Sequence, residues 1–136
     1  MIKRIGKVIF VIVGSIVGTI ALFLGFTWYD VLHSDYQKRR LQSRSDYAQI
    51  AAACASLPRS ITGWSVEPSD PRVPPIVRSL SPRYILLRSN AVTLEFHGTV
   101  DHYGYRVEQS ELDTNLWTIS YYAEHETKSL TTITNK

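Results

Sequence analysis

The chain has 136 residues, a formal net charge of +3 at pH 7 and a single cysteine, Cys54. The part beyond the apolar N-terminus is long enough for one modest core but too short for two, and a single cysteine excludes an internal disulfide. The basic residues cluster at both ends of the apolar segment, where they suit anionic lipid headgroups, and no RNA- or DNA-binding motif accompanies them, so we expect no nucleic-acid partner.

An uncharged apolar segment runs from Val8 to Tyr29, after a basic tail at residues 1–7. Its length of about 22 residues gives roughly 33 Å as a helix, which matches the hydrocarbon core of a bilayer. Trp28 and Tyr29 end the segment, as aromatic residues often do at a membrane interface. The run exceeds the apolar core of a usual signal peptide and lacks small residues at the cleavage positions. The sequence therefore predicts an uncleaved transmembrane helix over residues 8–29, in contact with membrane lipid.

The charges around this segment predict its orientation. The tail carries three cations, Lys3, Arg4 and Lys7, whereas the other flank begins with Asp30 and only later becomes basic. Short positively charged tails remain on the cytoplasmic side, and long domains cross largely regardless of charge. We therefore expect a single-pass inner-membrane protein with a cytoplasmic N-terminus and an extracytoplasmic C-terminal domain, which in a bacterium faces the periplasm.

Small residues mark one side of the predicted membrane helix. Gly14, Gly18, Ala21 and Gly25 recur at spacings of four, three and four, which places them on one stripe. Glycines four residues apart let two membrane helices approach closely and gain dispersion contacts, although glycine is also common in membrane helices in general. The stripe predicts pairing of this helix with a second copy or with another membrane protein.

A polar juxtamembrane segment at residues 30–45 joins the membrane helix to the domain at residues 46–136. Within residues 46–57, apolar side chains recur at spacings of three and four, which is typical of an amphipathic helix: Tyr47, Ile50, Ala51, Cys54 and Leu57. Cys54 lies on the apolar face, so we expect a buried thiol. Two alternatives remain for the connection: one continuous helix from the membrane into the domain, or a break near residues 43–45.

Prolines dominate the next segment. Five of the six prolines, together with Gly63, lie in residues 58–75, which predicts a loop held to the core by Trp64 and Val66. Pro75 suits the first position of a short helix that ends near Leu80.

The remainder of the chain predicts strands, over residues 83–88, 91–97, 103–108, 117–124 and, as a final edge strand, 130–134. In the second of these, Val92, Leu94 and Phe96 alternate with polar residues, and the connections are short. Such a pattern predicts an antiparallel meander of four to five strands with one polar face. Its apolar face requires a cover, which the amphipathic helix provides, so the fold class is α+β.

A membrane helix followed by an amphipathic helix on an antiparallel sheet is similar in outline to the type IV pilins. Pilins have a short basic leader that ends in glycine, a hydrophobic residue directly after it, and a glutamate at the fifth mature position. Residues 1–6 end in Gly6 and match that leader, but Lys7 follows it and Val11 occupies the fifth position. The resemblance implies a pilin-like structural subunit as an alternative function.

The densest group of metal-ligand residues is Glu95, His97, Asp101 and His102. Two imidazoles and a carboxylate can hold zinc and leave one position for water, so a metal-dependent hydrolase is a second alternative, with His97 and His102 as its candidate ligands. The spacing of these two histidines matches no common zinc motif, and a solvated strand face explains the same residues. The sequence shows no nucleophile elbow and no phosphate-binding glycine loop, and we expect no cofactor.

The polar face of the predicted sheet provides the leading functional hypothesis. Tyr122 lies on this face beside charged residues, and tyrosine and arginine are frequent anchors of protein interfaces. The residues predicted to bind a partner are Glu95, His97, Arg106, Glu108 and Tyr122. We expect a non-enzymatic envelope protein that presents a small α+β interaction domain to a protein partner, either as an accessory subunit of a membrane complex or as a neutraliser of a toxin.

Overall fold

A computed structural model describes residues 2–57, 65–97, 102–123 and 126–134. Across these ranges the chain forms three helices and one open antiparallel sheet of five strands, which confirms the α+β prediction. The helices are α1 (Ile2–Gln42), α2 (Tyr47–Ala55) and α3 (Pro75–Ser79). The strands are β1 (Tyr84–Leu87), β2 (Ala91–His97), β3 (His102–Gln109), β4 (Leu116–Ala123) and β5 (Glu126–Thr134).

The long helix α1 exposes apolar side chains around its circumference. Phe10, Leu22 and Phe23 are 81%, 78% and 69% exposed. By length and composition, the section Ile12–Gln42 contains one stretch that can cross a membrane, and none of that stretch is buried against the domain. A soluble surface helix normally covers its apolar stripe, whereas the rest of the described chain leaves this stretch uncovered.

The connection between α1 and α2 is a break, so the second of the two alternatives is correct. The last backbone bond of α1 runs from the amide of Ser43 to the carbonyl of Arg39, at 3.0 Å. Arg44 then binds the carboxylate of Asp46 with two hydrogen bonds, of 2.8 and 2.6 Å. Because Arg44 holds this carboxylate, the pKa of Asp46 is lowered, and its side chain does not cap α2.

The amphipathic helix is confirmed as the cover of the sheet. α2 packs against β3, β4 and β5 and also contacts α3. Ile50, Ala51 and Cys54 are buried at 0–1% exposure. Burial raises the pKa of the Cys54 thiol to about 12, which keeps it protonated and unreactive at neutral pH.

The sheet is a meander in which each strand pairs with its neighbour in sequence. Its inward face carries the predicted Val92, Leu94 and Phe96 of β2. The alternating residues of β3 and β4 lie on the same face: Tyr103, Tyr105, Val107, Trp117, Ile119 and Tyr121. Strand β5 is longer than predicted and contains a bulge opposite the Ile119–Ser120 step. The predicted short helix at Pro75 is present as α3. Val66 contacts the core through an isolated bridge to Ile85, as expected, whereas Trp64 lies outside the described residues.

Tyr105 occupies the centre of the core and joins it to the end of α1. Its ring makes edge contacts with the rings of Tyr47, Phe96 and Tyr121, at centroid distances of 5.9, 6.1 and 6.4 Å. Its hydroxyl donates to the carbonyl oxygen of Leu41 at 2.5 Å, and the hydroxyl of Tyr47 donates to the same oxygen at 2.9 Å. Helix ends have carbonyl groups without a helical partner, so two tyrosines from the domain satisfy one such group.

We expect Tyr105→Phe to lower the free energy of unfolding by about 1–2 kcal/mol, because the buried bond to Leu41 is lost while the ring contacts remain. Chemical denaturation of the full chain in a mild detergent, followed by the fluorescence of buried Trp117, measures this change.

The matched control is Tyr36→Phe, since Tyr36 lies on the exposed side of α1 at 65% exposure. A control that destabilises the domain as much as Tyr105→Phe would contradict the assigned role of the Leu41 bond.

Candidate functional site

The outer face of the sheet, opposite to α2, collects the polar residues of the strands. Strand pairing places Glu95, Gly104 and Tyr122 side by side across β2, β3 and β4. The next row contains Thr93, Arg106 and Ser120. We call Glu95, His102, Arg106, Glu108 and Tyr122 the outer-face cluster.

Glu95 and His102 form a diagonal pair within the outer-face cluster. The Nδ1 atom of His102 lies 2.8 Å from Oε1 of Glu95, and the side chains are 63% and 17% exposed. His97 is the backbone partner of His102 in the β2–β3 ladder. Its side chain and the whole of Asp101 lie outside the described residues.

The structure brings together two of the four residues in the predicted metal group. Among the described residues, no three histidine, cysteine, aspartate or glutamate side chains cluster as metal ligands. A glutamate and a histidine give two ligands, whereas a zinc site of the hydrolytic type uses three protein ligands. The predicted metal site therefore gains no support from the described part of the chain.

Tyr122 is positioned by Gly104, its direct partner on β3. A Cβ atom at Gly104 would overlap the carbonyl oxygen of Leu94 and would lie 3.2 Å from Cε1 of Tyr122. The absence of a side chain at Gly104 therefore leaves room for the Tyr122 ring next to β3. The ring in turn supplies packing contacts that a glycine does not make. Partial burial, and then the nearby charge of Glu95, raise the pKa of Tyr122 to about 12, so its hydroxyl stays a hydrogen-bond donor at neutral pH.

Arg106 and Glu108 complete the cluster on the same strand. The Nη2 atom of Arg106 lies 2.6 Å from Oε1 of Glu108, and both side chains are 44% exposed. An ion pair this accessible contributes little to stability, generally below about 1 kcal/mol. It therefore stays available for exchange with charges on another molecule.

The chemistry of this face suits recognition. An aromatic ring lies near one carboxylate and one cation, and a second carboxylate, Glu108, pairs with that cation. Four of the five predicted partner-binding residues lie on this one surface. Sequence reasoning assigned His102 to a metal site and did not include Gly104. A glycine inside a strand that otherwise alternates was the available signal, because it marks a close approach or a neighbour that fills its place.

The small-residue stripe of α1 lies away from the domain. A Cβ at Gly14, Gly18 or Gly25 would meet no atom within 4 Å outside the backbone of the helix itself. No contact within the described chain therefore requires these residues to be small, and pairing through the stripe with Ala21 stays a prediction.

Comparison with known protein families, with curated protein sequences and with solved structures finds no match for this chain.

We expect Gly104→Ala to destabilise the domain by about 2 kcal/mol or more, because the added methyl group overlaps the backbone of β2 and displaces the Tyr122 ring. Thermal unfolding of the full chain followed by circular dichroism measures the change.

Ser120→Ala is the matched control, since Ser120 lies on the same face beside Arg106 and is partly exposed. If both variants unfold at the temperature of the unchanged chain, the close packing around Gly104 is wrong.

Proposed function

We propose that this chain is a single-pass membrane protein that presents its α+β domain to a protein partner through the outer-face cluster, on the extracytoplasmic side of an inner membrane. The observation that carries the proposal is the placement of Tyr122, Arg106 and Glu95 together on the sheet face that α2 leaves uncovered. The proposed role is binding, as an accessory subunit or as a toxin-neutralising protein.

The exposure of α1 supports the membrane part of the proposal. Large apolar side chains along the helix would contact water unless lipid or another protein covers them, and burial in an apolar phase is favourable by about 25 cal/mol per Å². The basic tail with Lys3, Arg4 and Lys7 supports a cytoplasmic N-terminus, because cytoplasmic flanks are enriched in lysine and arginine.

The construction of the outer-face cluster supports the binding part. Tyr122 has a defined position over Gly104, so little rotamer freedom remains to be lost when a partner covers it. Arg106 and Glu108 give the surroundings a mixed charge, which orients a partner and rejects wrong ones. Anchoring in the membrane also raises the local concentration of the domain, which strengthens a weak interaction with another membrane protein.

Topology is tested with a cysteine at Leu112, which is 100% exposed in the β3–β4 turn. We expect Leu112→Cys to react with a membrane-impermeant maleimide on intact cells, because the domain lies outside the cytoplasm. The unsubstituted chain provides a silent background, since Cys54 is 1% exposed and its pKa is raised to about 12.

A second cysteine in the basic tail, Lys3→Cys, reacts only after the cells are permeabilised if the orientation is correct. Labelling of Lys3→Cys on intact cells, with Leu112→Cys protected, would show the reverse orientation.

Partner binding is tested by crosslinking the full-length protein in its native membrane and identifying the captured proteins by mass spectrometry. We expect one stoichiometric partner with the unchanged chain and loss of that partner with the double variant Arg106→Glu, Tyr122→Ala. The Arg106→Glu change repels Glu108 and any acidic group of the partner that Arg106 would bind. The Tyr122→Ala change removes the aromatic anchor.

Arg78→Glu is the matched control, because it reverses an exposed charge on α3, which packs on the α2 side of the sheet. The unfolding of both variants is measured in parallel. If the double variant does not fold, the single variant Arg106→Glu is used for the capture experiment instead. Undiminished capture by a folded double variant would refute the proposed surface.

A further inference from the structure

A small cavity lies between the end of α1 and the segment that follows α3, and its lining includes none of the outer-face cluster. Its volume is about 130 Å³. Its polar lining consists of Gln37 and Arg40 from α1, Arg44 from the break, and Ser79 and Ser81 at the end of α3. We call it the arginine niche.

The two arginines of the niche differ in how they are held. Arg44 is fixed by its paired hydrogen bonds to Asp46 and is 23% exposed. Within the described part of the chain, Arg40 forms no ion pair. Two guanidinium groups against one carboxylate leave the niche with a net positive charge. A guanidinium group binds phosphate oxygens through a pair of parallel hydrogen bonds, and Arg40 can offer such a pair. Nε and Nη2 of Arg44 are engaged by Asp46, so Arg44 adds its charge and the donors of Nη1.

The opposite wall is formed by two serines at the end of α3, Ser79 and Ser81. The hydroxyl of Ser79 donates to the carbonyl of Ile76 at 2.7 Å, so its proton is already used within the helix. Ser81 has φ of 55°, in the left-handed region that side-chain-bearing residues seldom adopt. This conformation is common for the residue that follows a helix C-terminus, and the amide of Ser81 donates to the carbonyl of Arg78 at 2.9 Å. Ser81 lines the wall opposite the arginines and carries a hydroxyl group that can donate to a bound oxygen.

We propose that the arginine niche binds a phosphate group. Its volume equals roughly four water molecules in the liquid, which is enough for one tetrahedral phosphate and an accompanying water. This inference is separate from the proposed function, because it depends neither on the outer-face cluster nor on the orientation of the chain.

Two sources can supply the phosphate, and helix geometry separates them. Arg40 follows Tyr29 by eleven residues, which is about 16 Å along an upright helix. The headgroup layer of a bilayer extends only about 5–8 Å beyond the hydrocarbon core. An upright α1 therefore lifts the niche above lipid phosphates and favours a soluble phosphate monoester, whereas a strongly tilted α1 brings it to an anionic headgroup.

The test begins with the full chain in an uncharged sugar-based detergent, titrated with inorganic phosphate at constant ionic strength. Binding is followed by NMR of the arginine side chains. We expect saturable binding that weakens about tenfold in Arg40→Gln, since one charge-assisted interaction is lost. Arg39→Gln is the matched control, because Arg39 lies on the same turn and does not line the niche. We expect its affinity to match that of the unchanged chain.

The source is identified by repeating the titration in nanodiscs. Discs that contain phosphatidylglycerol are compared with discs of phosphatidylcholine alone. In anionic discs without added phosphate, Arg40 side-chain signals at the positions seen with saturating phosphate identify a lipid headgroup as the occupant. Signals at the phosphate-free positions identify a soluble phosphate. The proposal is overturned if the unchanged chain shows no saturable binding in detergent, or if Arg39→Gln and Arg40→Gln weaken it equally.

Discussion

The carbonyl group of Leu41 is the point at which the long helix and the sheet become one structure. This group lies at the end of α1, where no helical amide reaches it, and it accepts the hydroxyl groups of Tyr105 and Tyr47. Tyr105 also forms the centre of an aromatic group in the core, so the same residue packs the sheet and holds the helix. The chain can therefore turn sharply at residues 43–46 without losing the connection between its two parts.

The remainder of the domain follows from the division of the sheet into two faces. One face is apolar and is covered by α2, whose buried residues include Ile50 and Cys54. The other face is free of helices in the described structure and carries the outer-face cluster. Because Gly104 has no side chain, β3 lies close to the backbone of β2 at Leu94. The ring of Tyr122 occupies the space next to Gly104 on the outer face. The surface proposed for binding thus has an aromatic group whose position is set by the backbone below.

Local periodicity was sufficient to predict most of the fold. The alternation of Val92, Leu94 and Phe96 identified the buried face of β2, and the spacing of Ile50 and Cys54 identified the helix that covers it. The break after Gln42 was left open, because the pair that stabilises it, Arg44 with Asp46, is two residues apart and gives no periodic signal. The contact between Tyr105 and Leu41 spans 64 residues, which a pattern of near neighbours cannot show.

The candidate site was predicted in composition but not in geometry. Alternation placed Glu95, Arg106 and Tyr122 on one face, and the strand register agrees with that placement. Closeness in sequence suggested that Glu95 and His102 share a metal, yet their diagonal position across β2 and β3 gives a direct hydrogen bond. The arginine niche escaped sequence reasoning because its walls, at Arg40 and Ser81, are brought together only by the packing of α1 against the segment after α3.

The continuous course of α1 from the apolar segment to Leu41 has a consequence for how the domain faces its neighbours. In an α-helix, each additional residue turns everything beyond it by about 100° and raises it by about 1.5 Å. If α1 spans a bilayer, the number of residues between Tyr29 and Leu41 sets the direction in which the outer face points within the membrane plane. One inserted residue would point that face away from a partner embedded beside α1. Seven inserted residues would nearly restore the original direction of the outer face while raising the domain by about 10 Å. If the outer face binds a partner in that membrane, the length of the helix sets which partners the face can reach, as its residues set which partners it recognises.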